Sequence, residues 1–212
     1  MTELVTFFFV ALSAVFFVVD PIGVVPIFLA ITSDDPPEKA RQMARRACVT
    51  GFCILTTFAI FGGVIFKIFG ISLGAFRVAG GLLLMLTALD MLRAKRPGTR
   101  TSPEETEESV RKEDVALVPL AMPLLAGPGA IASTMVLMSQ GNTRSLVYAV
   151  PVLLAVTITF VAAYFILRAA SLVQRVLGQS GVAILERVMG LILAAIAVQF
   201  VADGARDLLH TP

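Results

Sequence analysis

The sequence has little charge for its length. Asp, Glu, Lys and Arg together make up 15% of its 212 residues, whereas a soluble domain carries about 25%. Hydrophobic residues make up 57%, and the mean hydropathy is +0.88. The excess apolar surface indicates that a lipid bilayer surrounds the chain. The net charge is only +2, and no basic patch interleaves with aromatic side chains, so we expect no nucleic acid partner.

Histidine, cysteine and tryptophan are also scarce, which limits the chemistry. The chain has one histidine, two cysteines and no tryptophan. His210 lies near the C-terminus. Cys48 and Cys53 are five residues apart on one predicted helix, a spacing that suits neither a disulfide nor a metal site. No Ser-His-Asp set, metal-spaced histidines or phosphate loop is present. We therefore expect no enzyme activity, no metal and no cofactor, apart from a coupling proton or sodium ion.

An arginine-glycine pattern occurs twice. Residues 77–83 read RVAGGLL, and residues 187–193, which lie 110 positions later, read RVMGLIL. The glycines of these segments predict close helix packing. Arg77 and Arg187 lie at segment ends, where we expect their long side chains to reach the lipid headgroups.

A pair of prolines also occurs twice. Pro21 and Pro26 are five residues apart inside an apolar run, and so are Pro123 and Pro128, at an offset of 102. Proline lacks an amide proton and disrupts the helical turn before it. Each half therefore contains a proline-broken apolar segment, an unbroken one and the Arg-Val-x-Gly segment, in the same order. Duplication with broken hydrophobic segments is typical of transporters.

Hydropathy divides the chain into six apolar segments. They cover residues 4–31, 47–66, 74–92, 115–138, 146–167 and 183–202. The unbroken ones are close to the roughly 20 residues that a bilayer requires. The predicted fold is an all-α polytopic membrane protein, with six transmembrane segments as two inverted three-helix repeats with broken first helices. The repeats are residues 1–92 and 115–212, and residues 93–114 form a polar cytoplasmic linker.

The basic residues orient the predicted segments. Twelve fall after the first, third and fifth segments, and three fall on the opposite side. The twelve are Lys39, Arg41, Arg45, Arg46, Arg93, Lys95, Arg96, Arg100, Arg111, Lys112, Arg168 and Arg175; the three are Lys67, Arg144 and Arg206. This asymmetry predicts that both termini lie outside the cytoplasm. Because each half has three crossings, an odd number, the two copies must lie in opposite orientations.

The first break carries an acidic residue. Asp20 follows a run of sixteen residues, 4–19, that is almost entirely apolar. One interpretation is a site for a cation or a substrate ammonium, because ionisable groups inside a membrane face a protein interior or water. The other is a cap for a half-helix that begins at Pro21. The two are compatible, since a cap can also line a cavity. The candidate site residues here are Asp20, Pro21, Gly23 and Pro26.

The second break has no acidic counterpart. Gly127 stands at the cap position of a half-helix that begins at Pro128, and it has no side chain. The first three amides after the proline, those of Gly129, Ala130 and Ile131, then lack a side-chain acceptor, and a helix N-terminus in this state favours an anion such as a carboxylate. The alternative is a kink satisfied by nearby hydroxyls or water. The candidate site residues here are Pro123, Gly127, Pro128, Gly129, Ala130, Ile131, Ser133 and Thr134.

Four stretches resemble the signatures of the MarC family of bacterial and archaeal inner-membrane proteins. They are residues 20–28 (DPIGVVPIF), 69–81 (FGISLGAFRVAGG), 118–131 (VPLAMPLLAGPGAI) and 187–200 (RVMG through QF). The resemblance covers nearly the whole chain. It implies six spans, a location in the plasma (inner) membrane, transport of small neutral amino acids and an old association with antibiotic resistance. Many members have Asn where this chain has Asp20, so a coupling role for the carboxylate would not be general to the family.

We interpret the chain as a secondary transporter of small neutral solutes, with neutral amino acids such as alanine or glycine as the expected substrates. The substrate follows from the resemblance, and the location of the site, between the two breaks near the midplane, follows from the residues. Efflux of larger amphipathic compounds or drugs is one alternative, which a wide aromatic cavity would favour. A non-transporting membrane scaffold is another, and it leaves the paired breaks without a purpose. The direction of transport and the oligomeric state stay open.

Overall fold

A computed structural model describes residues 2–32, 35–93, 125–144 and 146–210. This part of the chain is helical and contains no strand. Its helices are α1 (Thr2–Val19), α2 (Val25–Ile31), α3 (Pro37–Phe69), α4 (Leu73–Leu92), α5 (Pro128–Arg144), α6 (Ala149–Arg168) and α7 (Ala170–His210), with a short 3-10 helix at Leu146–Tyr148. The all-α class predicted from the sequence is confirmed.

Within the described residues, five helical stretches are long and apolar enough to cross a bilayer. They are α1, α3, α4, α6 and the Ala183–Leu209 part of α7, which follows a kink at Gly178. The apolar part of α5, Pro128–Ser139, is shorter. The chain is therefore a polytopic membrane protein, as predicted. Much of the predicted fourth segment, including Pro123, and nearly all of the linker 93–114 lie outside the described residues, so the six crossings stay a prediction.

The predicted interruption of the first segment is present, but the next helix starts later than predicted. α1 ends at Val19, residues 21–24 form a turn, and α2 begins at Val25. The expectation of a helix that begins at Pro21 is therefore wrong. Asp20 has a φ of +48°. This left-handed conformation ends α1, and aspartate tolerates it better than most residues do.

α3 is longer than the predicted segment 47–66. Its 33 residues span about 50 Å, against a hydrocarbon core of about 30 Å. The first turns carry Lys39, Arg41 and Arg45, which are all exposed, so the excess length extends into water on the basic side. The helix ends at Gly70, which adopts a φ of +64°. Glycine suits this left-handed end because it has no Cβ.

α4 and α7 pack as an antiparallel pair through glycines. A Cβ built on Gly81 would lie 2.8 Å from the carbonyl oxygen of Ala197, and one built on Gly190 would lie 3.1 Å from that of Ala88. Any larger residue would force the two backbones apart. The packing role predicted for these glycines is confirmed.

The two repeated arginines have different surroundings. The Arg77 side chain, near the start of α4, is 12% exposed and forms an ion pair with Asp207, near the end of α7. The prediction that Arg77 reaches the headgroups is therefore wrong, because a carboxylate holds it against the helix pair. Arg187 is exposed, and its reach to the headgroups stays a prediction.

The relative directions of the helices follow from contacts along their length. Tyr148, which precedes α6, contacts the first turns of α1, and the two helices pack side by side, so they run parallel. Along α3, the backbone at Gly51 approaches Leu125 and the backbone at Gly62 approaches Met135. The order is the same in both chain segments, so α3 and α5 also run parallel.

Candidate functional site

The first break is built around the carboxylate of Asp20. This residue is 1% exposed, and its Oδ1 accepts a hydrogen bond of 3.1 Å from the N–H of Gly23. Its backbone carbonyl accepts one of 3.3 Å from the N–H of Val24. Asp20 therefore does act as a cap, as one interpretation predicted, but it caps the turn 21–24 rather than a helix that begins at Pro21.

Gly23 is the residue that lets this carboxylate approach the backbone. A Cβ built on Gly23 would lie 2.1 Å from Oδ2 of Asp20, which is far closer than two such atoms can come. No other residue fits unless the carboxylate moves. Pro21 is buried and Pro26, in the first turn of α2, is half-buried. The four candidate residues of this break thus lie together in one turn and the helix start that follows it.

Gly127, which stands at the cap position of the second break, has no side chain to cap the helix. α5 begins at Pro128, and the N–H of Ile131 donates to the carbonyl of Gly127 at 3.0 Å. Since proline has no N–H, the amides ahead of this first intrahelical bond are those of Gly129 and Ala130. Ile131 therefore drops out of the predicted trio of carboxylate-facing amides, because the carbonyl of Gly127 already accepts from it.

Burial separates the candidate residues of the second break. The buried ones are Gly129, Ala130, Ser133 and Thr134; Gly127 and Ile131 are half-buried, and Pro128 is exposed. Pro123 lies outside the described residues. Pro128 thus serves the start of the helix rather than the lining of an enclosed site.

The structure brings the two breaks together. A Cβ built on Gly129 would lie 3.8 Å from Cγ1 of Val18, two residues before Asp20, and 2.9 Å from Cδ2 of Leu84. Leu84 is near the middle of α4, which spans Leu73–Leu92. The junction of the breaks therefore lies beside the middle of α4, at mid-height of that helix.

Two threonines behave alike after the matched prolines. Thr32 and Thr134 are 102 residues apart, which is the offset of the proline pairs. Both are buried. The Thr32 hydroxyl donates to the carbonyl of Phe28 at 2.8 Å, and the Thr134 hydroxyl donates to that of Ala130 at 2.7 Å. The proton of each hydroxyl is thus used within its own helix.

Two other hydroxyls are fully buried and have no hydrogen-bond partner within the described ranges. They are Ser133 Oγ in α5 and Thr159 Oγ1 in α6, and both residues are 0% exposed. Ser133 lies one turn after Gly129 on the same face of its helix. A buried hydroxyl without a partner destabilises a fold by about 1–3 kcal/mol. Both groups are therefore suited to a polar ligand or a bound water.

Thr159 was not among the predicted site residues. The signal in the sequence was a hydroxyl inside an apolar span, but Thr157 carries the same signal. The structure separates them, because Thr157 is exposed and donates to the carbonyl of Leu153 at 2.8 Å. Only the rotation of α6 against its neighbours decides which of the two is enclosed.

The two breaks therefore offer one carboxylate, two helix-start amides and the enclosed hydroxyl of Ser133, and the buried hydroxyl of Thr159 lies on α6. Within the described ranges no three His, Cys, Asp or Glu side chains lie close enough to hold a metal ion. Groups of opposite polarity on two facing breaks are suited to a small ligand with an anionic end and a cationic end.

Known proteins similar to this chain are membrane proteins of bacteria and archaea. The sequence model of MarC family integral membrane proteins matches residues 5–209. A UPF0056 membrane protein of Methanocaldococcus jannaschii is 40% identical over 205 residues, which cover 96% of this chain and 98% of that protein. One of Aquifex aeolicus is 36% identical over 209 residues, or 99% and 97%. The UPF0056 membrane protein YhcE of Escherichia coli is 32% identical over 201 residues, or 95% and 91%. No solved structure matches significantly.

Proposed function

The chain belongs to the MarC family of integral membrane proteins, and from this premise we propose that it is a secondary transporter of small neutral solutes. The substrates we propose are neutral amino acids such as alanine and glycine. One observation carries the proposal: two broken segments, one from each half, meet at mid-height where Val18 lies against Gly129. Inverted-repeat transporters bind their substrates where broken helices meet near the bilayer midplane.

The pairing of the helices supports the inverted repeat on which this proposal depends. Exchange of the halves matches α3 with α6 and α4 with α7. It converts the α4–α7 pair into itself, and that pair is antiparallel. A two-fold axis in the membrane plane requires this pattern. The matched hydroxyl bonds of Thr32 and Thr134 support the same relation.

A zwitterionic amino acid fits the junction with its two ends on different breaks. We propose that its carboxylate accepts from the N–H groups of Gly129 and Ala130, at the uncapped start of α5. Its ammonium, or a coupling proton or sodium ion, then faces the carboxylate of Asp20. Val18 and Leu84 lie close to Gly129 and leave little space there, which favours a small side chain.

We propose further that the protein lies in the plasma membrane of a bacterium or archaeon, with both termini outside the cytoplasm. The exposed basic residues at the start of α3, Lys39, Arg41 and Arg45, would then be cytoplasmic. In this proposal the chain catalyses no reaction and needs no resident cofactor.

Uptake into vesicles tests the proposal directly. The purified protein would be reconstituted, and accumulation of labelled alanine and glycine measured under imposed proton or sodium gradients. We expect saturable uptake above that of protein-free vesicles, with competition by unlabelled neutral amino acids. Thr157→Val, on the exposed face of α6, serves as a control variant with unchanged uptake. Absence of uptake under both gradients and absence of binding to the folded protein would refute the proposal.

A further inference from the structure

A cavity lies away from the junction of the breaks. Its volume is about 580 Å³, within the range of small-molecule sites. It lies between the last turns of α3, the loop that follows them and the second half of α5. The residues used below are Ile60, Gly63, Val64 and Lys67 of α3, and Met135 and Met138 of α5.

The cavity opens sideways, towards lipid. Ile60 and Val64 line it, and each is 53% exposed on the outer face of α3. The methionines on the opposite wall have flexible, polarisable side chains that adapt to apolar groups of irregular shape. A side opening of this kind admits a molecule that already resides in the bilayer.

Among the described residues that line the cavity, Lys67 is the one with a charged side chain. Lys67 is in the last turn of α3, whereas Ala59, at the inner end, lies eight residues earlier. The helix rise places them about 12 Å apart along the axis, which is slightly less than half of a hydrocarbon core of about 30 Å. The ammonium therefore lies near headgroup depth, and the apolar slot extends from it towards the middle of the membrane.

No acidic side chain of the described residues pairs with Lys67. A lysine at a helix end interacts with the helix dipole and can reach the headgroups wherever it occurs. The present lysine differs in that it borders an apolar slot one leaflet deep. An ammonium above such a slot has the charge and shape that complement an anionic headgroup with its acyl chain.

We propose that this cavity is a binding site for one anionic phospholipid of the surrounding bilayer. The phosphate pairs with Lys67, and one acyl chain lies along Gly63 and Val64 against Met135 and Met138. The proposal goes beyond the transport function and does not depend on it.

The absence of tryptophan allows a local test. Ile60→Trp would place the only indole of the protein in the cavity, and quenching by brominated phosphatidylglycerol and phosphatidylcholine would be compared in vesicles. We expect about fivefold stronger apparent binding of the anionic lipid, which corresponds to the roughly 1 kcal/mol of one lysine near a membrane surface. Ile158→Trp is the control, because it is exposed on α6 and, like Ile60, lies nine residues from its helix end.

Three further variants in the Ile60→Trp protein complete the test. Lys67→Gln should abolish the lipid preference, and Lys67→Arg should retain it. Gly63→Leu should weaken quenching by both lipids, because a Cβ at Gly63 meets no atom within 4 Å and the side chain can fill the slot. The proposal is overturned if Ile60→Trp shows the same lipid ratio as Ile158→Trp, or if Lys67→Gln leaves the ratio unchanged. Neither outcome bears on amino acid uptake, which is measured separately.

Discussion

The two breaks occupy equivalent places in the two halves, but they satisfy their backbone groups differently. At the first, the carboxylate of Asp20 accepts from Gly23, and carbonyls of the same turn accept the amides of Val24 and Val25. At the second, the amides of Gly129 and Ala130 precede the first intrahelical bond, and the residue at the cap position, Gly127, has no side chain. The first break is completed by its own residues, whereas the described part of the second break supplies no side-chain acceptor for these two amides.

This difference shows which features the two copies share. The helix-start prolines Pro26 and Pro128 correspond, and so do the buried threonines that follow them. The cap does not correspond, because the residue 102 positions after Asp20 is Met122, which has no carboxylate. The two breaks thus share their backbone arrangement but differ in the charged group that they present. A ligand with two different ends requires such a pair.

The largest effect is expected at Gly23. Gly23→Ala would place a methyl group on the carboxylate of Asp20 and break the bond that caps the turn. We expect the free energy of unfolding to fall by about 2–4 kcal/mol, because a buried charged group loses its donor. Thermal unfolding in detergent measures the change. Gly63→Ala is the control and should not be destabilised, since its Cβ meets no atom within 4 Å. Equal unfolding temperatures for the two variants would contradict the role of Gly23.

At the second break, Gly129→Pro should remove a carboxylate-facing amide and leave the helix start intact, because proline is tolerated in a first turn. The new ring would meet Leu84, so the variant is best made together with Leu84→Val, with Leu84→Val alone as the control. We expect alanine affinity to fall about 10–100-fold, the effect of one hydrogen bond to a charged group. Calorimetric titration with alanine and alaninamide measures it. If the wild type binds the amide as tightly as the acid, the carboxylate assignment is wrong.

Asp20→Asn removes the negative charge of the first break and retains a side chain of the same shape. Asparagine also tolerates positive φ and caps turns well, so the unfolding temperature should stay nearly unchanged. Ammonium recognition or cation coupling should weaken about tenfold, an effect of one charge at a partly screened site. Asp20→Ala should lose stability as well, by about 1–2 kcal/mol. Gradient-driven uptake and gradient-free exchange are compared. An unaltered gradient dependence in Asp20→Asn would leave Asp20 with the capping role alone.

The smallest effect concerns the enclosed hydroxyls that neither break uses. Thr159→Val removes an unpartnered buried hydroxyl, so stability should be unchanged or slightly higher. Alanine affinity should fall about threefold to tenfold if the hydroxyl bonds the ligand, as one neutral hydrogen bond does. Thr157→Val, two residues away on the exposed face, should change neither property. Identical affinities for both variants would exclude Thr159 from the site. The same binding assay on Ser133→Ala tests whether the Ser133 hydroxyl contacts the ligand.

The position of the breaks could be predicted because proline acts locally. Its missing amide and its ring disturb the turn before it wherever it stands in a helix, so the interruption of the first segment and the helix start at Pro128 could be predicted without reference to the fold. The start at Pro21 was predicted wrongly because Asp20 adopts a left-handed conformation, which delays the helix by one turn. That conformation depends on the room that Gly23 leaves for the carboxylate.

The sequence by itself determined the membrane class, the helical content, the segments that break and the repeat offset. These follow from hydropathy and from proline geometry, which act over a few turns of one helix. Only the tertiary structure decided that Val18 meets Gly129, that Arg77 pairs with Asp207, and that Thr159 is enclosed while Thr157 faces outward. The two contacts join residues more than a hundred positions apart in the sequence. The burial of Thr159 depends on how α6 is rotated about its axis against the neighbouring helices. A helix that is hydrophobic on every side does not specify that rotation.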